Sequence, residues 1–392
     1  MVPLILFCIF DFKSWCYHGG FIVKSSKKDV IIIFSFLSIL IGTMIINIIK
    51  PDKEFSFSER RKLAQAPVLT LNNFYESKTI AEFEKYTMDQ FVFRDHFRSI
   101  KAYFVYNILN QKDNNGIYFL NGSIHKIDYP LNEKSIYQAA SKFNYINQKY
   151  LKDLDDIHVY YSLIPDKNYF LAKEYGYLSI NYNQIEDILK ESLKDMKYID
   201  IFDLLSIEDY YLTDLHWKQE KIIDVADKLL TEMGNKDLPS SLDYEEKTLY
   251  PFYGSYYGQG AVKVKADKMI YLNHDMLDKT IVRDHESKES SKVYDLDEFA
   301  SIDSYNIYLS GAKPLLTLYK ESNDSNKELI IFRDSFASSI APLLLPSYKK
   351  ITLVDIRYIS SDLLDSYISF KSGQDILFLY NTQILNNSYM LK

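Results

Sequence analysis

The sequence predicts an α/β fold built on a mainly parallel sheet, preceded by one membrane-spanning helix. Three observations carry this. Short apolar runs such as Leu329-Ile330-Ile331-Phe332 are of the kind that form fully buried strands. Segments with apolar residues at helical spacing alternate with those runs, as in a sheet with helices on both faces. The stretch Val30 to Ile49, VIIIFSFLSILIGTMIINII, is free of charge over a length that matches the hydrocarbon core of a bilayer.

Taken in order, residues 1–29 read as a short N-terminal segment, whose apolar patch PLILFCIF is too short to span. Residues 30–49 read as an uncleaved anchor, because no small-residue cleavage site follows. Lysines precede the span and five basic residues follow it, so charge alone leaves the orientation open. Residues 50–70 read as a polar connector and 71–392 as the main domain. Within that domain, Phe74 to Leu109 reads as helical, and Gly116 to Ile127 as a hairpin turning on Asn121-Gly122. A helix over Glu133 to Leu154 leads to a buried strand at Ile157 to Pro165. A helix marked by Ile185, Ile188, Leu189 and Leu193 precedes a strand at Tyr198 to Phe202, and Trp217 to Met233 reads as helix. Tyr250 to Ala261, rich in Gly and Tyr, reads as a loop, and the charged stretch Asp275 to Glu298 as an insertion or mobile segment. Strands at Ile351 to Asp355 and Asp375 to Tyr380 complete the sheet.

Composition narrows the function classes. Hydrophobic residues make up 47% of the chain, enough for a packed core, and the net charge of -7 argues against sequence-independent nucleic-acid binding. Both cysteines, Cys8 and Cys16, precede the span, so the domain has no thiolate nucleophile or disulfide framework. None of the seven histidines has HExxH or HxxxH spacing; no metal and no cofactor are expected.

The chemistry centres on Lys327 to Lys350, KELIIFRDSFASSIAPLLLPSYKK. Ser335 stands where the buried strand turns into a helix. It suits a plain N-cap residue. It also suits a nucleophile at the carboxyl end of a strand, where the helix start favours developing negative charge. A nucleophilic serine needs a base and the base an orienter. Two Asp-x-His pairs offer this, Asp156/His158 and Asp214/His216. The first opens a strand at the amino end of the sheet. The second follows a strand and a loop, at the end where Ser335 stands.

The chain resembles the DHHW-protein family of Gram-positive bacteria and, more distantly, the alginate O-acetylation proteins of the SGNH-hydrolase superfamily. The matching stretches are FSERRKLAQAP, MDQFVFRDHF, LIPDKN, YYLTDLHW, PFYGSYYG, YLSGAKP, FRDSFASSIAPLL, DIRY and LYNTQ, which cover nearly everything after the span. TDLHW and RDSF are the most specific of them. Leu215 stands where the family's name motif has its first histidine. The resemblance implies an SGNH-hydrolase-like three-layer α/β/α sandwich with Ser335 as nucleophile, His216 as base and Asp214 as orienter. It implies that residues 1–29 are cytoplasmic and that 71–392 is the extracytoplasmic catalytic domain of a membrane-anchored O-acetyltransferase. Such a protein acts on a cell-surface or secreted polysaccharide, with acetyl groups supplied by a multi-pass membrane acyltransferase. The Phe336 N–H is the expected oxyanion donor, and Gly254-Ser255 is a candidate second donor, set against a structural glycine turn. Tyr253, Tyr256 and Tyr257 are candidate sugar-stacking groups, set against plain packing, and Lys167 and Asn168 are candidates to reach the cleft. A carbohydrate esterase and a non-catalytic glycan-binding assembly factor stay open beside the transferase.

Overall fold

The computed structural model describes residues 27–56, 58–68, 70, 75–320 and 326–392. The chain forms two compact units, Met1–Glu54 with Leu63–Arg94, and Phe55–Lys62 with Asp95–Lys392. In the first, helix Lys27–Ile49 has 23 residues and no buried side chain, and it is long and apolar enough to cross a membrane. The segment expected to be cytoplasmic lies, except for residues 27–29, outside the described residues. The expected helix from Phe74, itself outside the described residues, is broken. It runs as Ser77–Asp89, then Arg94–Tyr103, and continues as the wider helical turn Phe104–Ile108. Phe93, with φ of 58°, makes the break.

The second unit is organised by one eight-stranded sheet. Its strands are β1 His158–Ile164, β2 Lys197–Tyr198, β3 Ile281–Asp284, β4 Ser290–Ser291, β5 Leu315–Tyr319, β6 Glu328–Arg333, β7 Lys350–Val354 and β8 Asp375–Asn381. The spatial order is β4-β3-β5-β7-β6-β8-β1-β2. From β7 to β2 the pairing is parallel, and the β4-β3-β5 side joins β7 antiparallel. On the central strand β6, Leu329 and Ile331 enter one core cluster, while Ile330 and Phe332 enter the other. Two-sided burial of this kind needs a continuous apolar run rather than alternation. Helices Ile223–Glu232 and Ala337–Leu344 supply the first cluster, and Glu133–Ile146 and Tyr182–Ser192 the second. The result is the expected α/β sandwich with a mainly parallel sheet.

Four local expectations are corrected. The strand expected at Tyr198–Phe202 ends at Tyr198, because the Asp200 side chain accepts the Phe202 N–H (3.0 Å) and turns the chain into a short 3-10 helix. The helix expected from Trp217 begins only at Ile223, since Trp217 bridges back to Tyr210. Tyr250–Ala261 is not a loop but the end of strand Glu245–Phe252, paired with Asp267–Asn273, followed by the short helix Ser255–Gly260. The charged stretch Asp275–Glu298 supplies β3 and β4. Its Val282 is buried and pairs with Leu318, so the segment is the antiparallel margin of the sheet rather than an insertion.

Candidate active site

The turn after β6 takes the capping role away from Ser335. The helix start is capped by its neighbour: Asp334 Oδ1 accepts the Phe336 N–H at 2.9 Å. The other Asp334 oxygen accepts the Asn381 N–H at 2.6 Å, which ties the turn to the end of β8. With capping done by Asp334, the Ser335 hydroxyl is left for another partner. That partner is His216, whose Nε2 lies 2.8 Å from Ser335 Oγ. His216 Nδ1 lies 2.5 Å from Asp214 Oδ1. The series Ser335–His216–Asp214 is therefore hydrogen-bonded from end to end, across 119 residues of sequence between serine and histidine.

Each member is held by its surroundings. Asp214 is fully buried and also accepts the His216 N–H (3.0 Å) and the Ser255 N–H (2.6 Å). Burial alone would raise its pKa. The charge and hydrogen bond of His216, the Arg60 guanidinium and the Ser255 N–H outweigh burial, and hold the carboxyl well below the usual range. The loop that carries Asp214 is closed at its base by the Tyr210–Trp217 bridge. From below, Asp267 accepts the N–H groups of Leu212 and Thr213 (both 2.8 Å) and the Thr213 hydroxyl (2.5 Å). The His216 ring lies flat on Tyr305, with centroids 3.8 Å apart and planes 5° from parallel. The Tyr305 hydroxyl donates to Ser339 Oγ (2.8 Å), which also accepts Trp217 Nε1–H (2.9 Å). One wall thus fixes both faces of the TDLHW motif.

Several expected binding residues serve the scaffold instead. The Phe336 N–H is committed to Asp334, so it is not available as the oxyanion donor. The Gly254 N–H donates to Thr213 Oγ1 (2.9 Å) and the Ser255 N–H to Asp214, so neither amide is free for substrate. Gly254 is needed for a different reason: a Cβ there would lie 2.1 Å from Asp214 Cβ. Lys167 does not reach a cleft. It is buried, and its ammonium donates to the carbonyls of Ile124 and Tyr211 (2.7 Å each) and of Leu212 and Asp214 (3.2 Å each). Burial pulls its pKa down to about 7 against the opposing pull of Asp267 and Asp214. Asn168 is also buried, bonded to the Tyr118 hydroxyl (2.9 Å) and the Leu178 carbonyl (3.0 Å). Tyr256 is buried, which removes it from the sugar-stacking candidates, whereas Tyr253 is exposed and packs on Tyr257. Arg357 forms an ion pair with Asp355 (2.6 Å). Arg333 instead donates to Ser338 Oγ and to backbone carbonyls. His158 of the other Asp-x-His pair sits at the amino end of β1, 3.8 Å from Asp375.

The structure adds residues that spacing alone does not reveal. Arg60, at the tip of the hairpin Phe55–Ser56/Arg61–Lys62, donates to Asp303 Oδ1 and to the Tyr253 carbonyl (2.6 Å each) and stands 3.6 Å from Asp214 Oδ2. Its φ of 52° places it in the left-handed region, a strain of roughly 1–3 kcal/mol for a residue with a Cβ. The stretch FSERRKLAQAP carried a family resemblance, but nothing in it told which arginine would turn inward. Tyr305 gave no signal at all, since no motif or spacing links it to His216. The Ser335 backbone N–H makes no hydrogen bond among the described residues, in contrast to the committed N–H of Phe336.

No family model matches the sequence, and no curated protein matches it. Among solved structures, a DHHW family protein from Eubacterium siraeum superposes with a TM-score of 0.55 at 18% identity, over 71% of this chain and 95% of that one. Bacillus cereus PatB1 superposes with a TM-score of 0.56 at 18% identity, over 69% of this chain and 97% of that one. PatB1 with a sulfonyl adduct gives the same score and identity, over 95% of that chain. At this identity the likeness is one of fold, and the chain has the fold that the DHHW family protein and PatB1 have.

Proposed function

We propose that the protein is a membrane-anchored O-acetyltransferase whose domain lies outside the cytoplasm and modifies a cell-surface polysaccharide. The observation that carries the reading is the Ser335–His216–Asp214 series, with a buried anionic aspartate at its inner end. Asp214 fixes the tautomer in which His216 Nδ1–H donates to it, so Nε2 is free to take the serine proton. Ser335 Oγ attacks the carbonyl carbon of an acetyl donor while His216 receives the proton. The carbonyl oxygen becomes negative and is met by the Ser335 N–H. His216 returns the proton to the leaving oxygen, and acetyl-Ser335 remains. A sugar hydroxyl then gives its proton to His216 and attacks the acetyl carbonyl; the bond from the acetyl carbon to Ser335 Oγ breaks, His216 returns the proton to Oγ, and the acetylated sugar leaves. The N-terminal helix and the motif resemblance support an anchor and a multi-pass membrane acyltransferase as donor.

The test uses the full-length chain in detergent with an activated acetyl ester and a surface-glycan acceptor. Ser335→Ala is expected to abolish release of acetyl and its transfer to sugar, with the folding transition kept, since Asp334 rather than Ser335 caps the helix. Asp214→Asn is expected to lower kcat by about 10⁴, through the wrong histidine tautomer. Acetyl passing only to water would make the protein an esterase. Glycan binding with no Ser335-dependent turnover would make it an assembly factor.

A further inference from the structure

The helical segment that begins at Arg94 has two unlike sides. Ala102 and Val105 are buried, while Ile100, Tyr103, Phe104, Ile108 and Leu109 are each between 51% and 60% exposed. Ile100, Phe104 and Ile108 recur every four residues, so they form one row along Arg94–Tyr103 and its continuation Phe104–Ile108. An apolar row of this size in water is costly, and monomeric soluble proteins rarely keep one. Beside it lies a hollow of about 830 Å³, lined by Tyr103, Phe104, Phe119 and Val262 together with Lys112 and Lys263. Lys101 is exposed on the same segment. Aromatic and aliphatic groups flanked by lysines match the boundary of a bilayer, where rings sit at headgroup level and ammonium groups reach the phosphates.

Covalent structure says which surface is near. Five residues, Lys50 to Glu54, separate the end of helix Lys27–Ile49 from strand Phe55–Ser56. The hairpin that this strand opens is fastened to the amino end of the row's own helix. Ser58 Oγ donates to Asp95 Oδ1 (3.1 Å), and Arg98 stands 3.4 Å from Glu59. Five residues of extended chain reach about 20 Å. If the helix spans the membrane, that end of the row cannot be far from its surface.

We propose that the row formed by Ile100, Phe104 and Ile108, with Tyr103 and Leu109, lies in the headgroup boundary of an anionic bilayer. The proposal rests on the anchor reading, and its test separates the two. Full-length protein with Cys8 and Cys16 replaced by serine is reconstituted in phosphatidylglycerol–phosphatidylcholine vesicles containing lipid with a nitroxide near the headgroup or deep in the chain. A fluorophore sensitive to quenching is placed at single cysteines: Phe34→Cys in the helix, Phe104→Cys or Ile108→Cys in the row, and Tyr389→Cys as an exposed reference. The row probes are expected to be quenched by the shallow nitroxide at least twice as strongly as by the deep one. The Phe34→Cys probe is expected to favour the deep nitroxide, and Tyr389→Cys neither. Quenching at Phe34→Cys without quenching at the row overturns the proposal and leaves the anchor standing. Shallow quenching at the row without quenching at Phe34→Cys supports the proposal and removes the anchor. As a check on folding, an Ile100→Cys probe in a Phe104→Glu/Ile108→Glu background should lose shallow quenching while the thermal transition persists.

Discussion

A single carboxylate, Asp214, meets more of the site than Ser335 does, and its neighbours are where substitutions should be felt. A methyl group added at Gly254 would overlap Asp214 Cβ at 2.1 Å and its Cα at 2.5 Å. Gly254→Ala is therefore expected to displace the Asp214 loop, lower stability by about 1–3 kcal/mol and reduce kcat more than it raises KM. Thermal melting and steady-state kinetics on one preparation check both. Lys167 holds the same loop from inside. Lys167→Met keeps most of the volume but leaves four carbonyls without their shared donor, and is expected to cost ~3 kcal/mol or more. Tyr305 acts through its ring: Tyr305→Phe should keep the stack on His216 and most activity, whereas Tyr305→Ala should lose both. His125 gives a pH signature. It is buried against the Tyr118 ring, and neither ring nitrogen has a partner among the described residues. Burial, with the Lys167 charge, pushes its pKa down to about 2 from the ordinary 6.5. The unfolded chain binds the extra proton below pH 6.5, so this contribution to stability is complete above that value. It falls by roughly 1.4 kcal/mol per pH unit below it, until the folded pKa is reached. Denaturant unfolding at pH 7 and pH 5 should show a loss of about 2 kcal/mol from this group, and His125→Phe should remove that loss.

At the level of elements, the parallel central strands and the hairpin turning on Asn121-Gly122 were legible, and the antiparallel margin of the sheet was not. β1, β6, β7 and β8 announce themselves as continuous apolar runs, because parallel central strands have no polar side to show. The β3 strand, Ile281–Asp284, lies inside the most charged part of the chain and places only Val282 in the core, so a composition-based reading takes it for a mobile loop. Amide hydrogen exchange distinguishes the two. Ile281–Asp284 should be protected comparably with Leu315–Tyr319, its partner in the sheet, and far more than Glu286–Lys288. The candidate site divides along the same line. Ser335, His216 and Asp214 were readable because each lies in a short motif between a strand and a helix. The roles of Phe336, Gly254, Ser255, Lys167 and Asn168 were not. Whether a backbone N–H is free or already bonded depends on which distant loop arrives beside it. Arg60 comes from a hairpin more than 150 residues before the loop it touches, a pairing that no local pattern encodes.

For the whole molecule, the anchor reading makes a topological statement. In intact cells stripped of their wall, added protease should digest the chain from Pro51 onward, and full protection would place the domain inside. The same statement bears on when activity can begin. Ser335 meets His216, 119 positions before it in the sequence, only after the chain between them has been arranged, and the turn that carries it is pinned by an amide of β8, the last strand of the sheet in chain order. A chain threaded through a membrane in extended form would carry a chemically ordinary serine, no more reactive than any other. On the reading proposed above, reactivity would be acquired only on the far side, once β8 docks, and the order of assembly would itself keep the serine unreactive until then. A chain truncated before Asp375 should accordingly show no labelling of Ser335 by a serine-directed phosphonate, whereas the full chain should be labelled once folded.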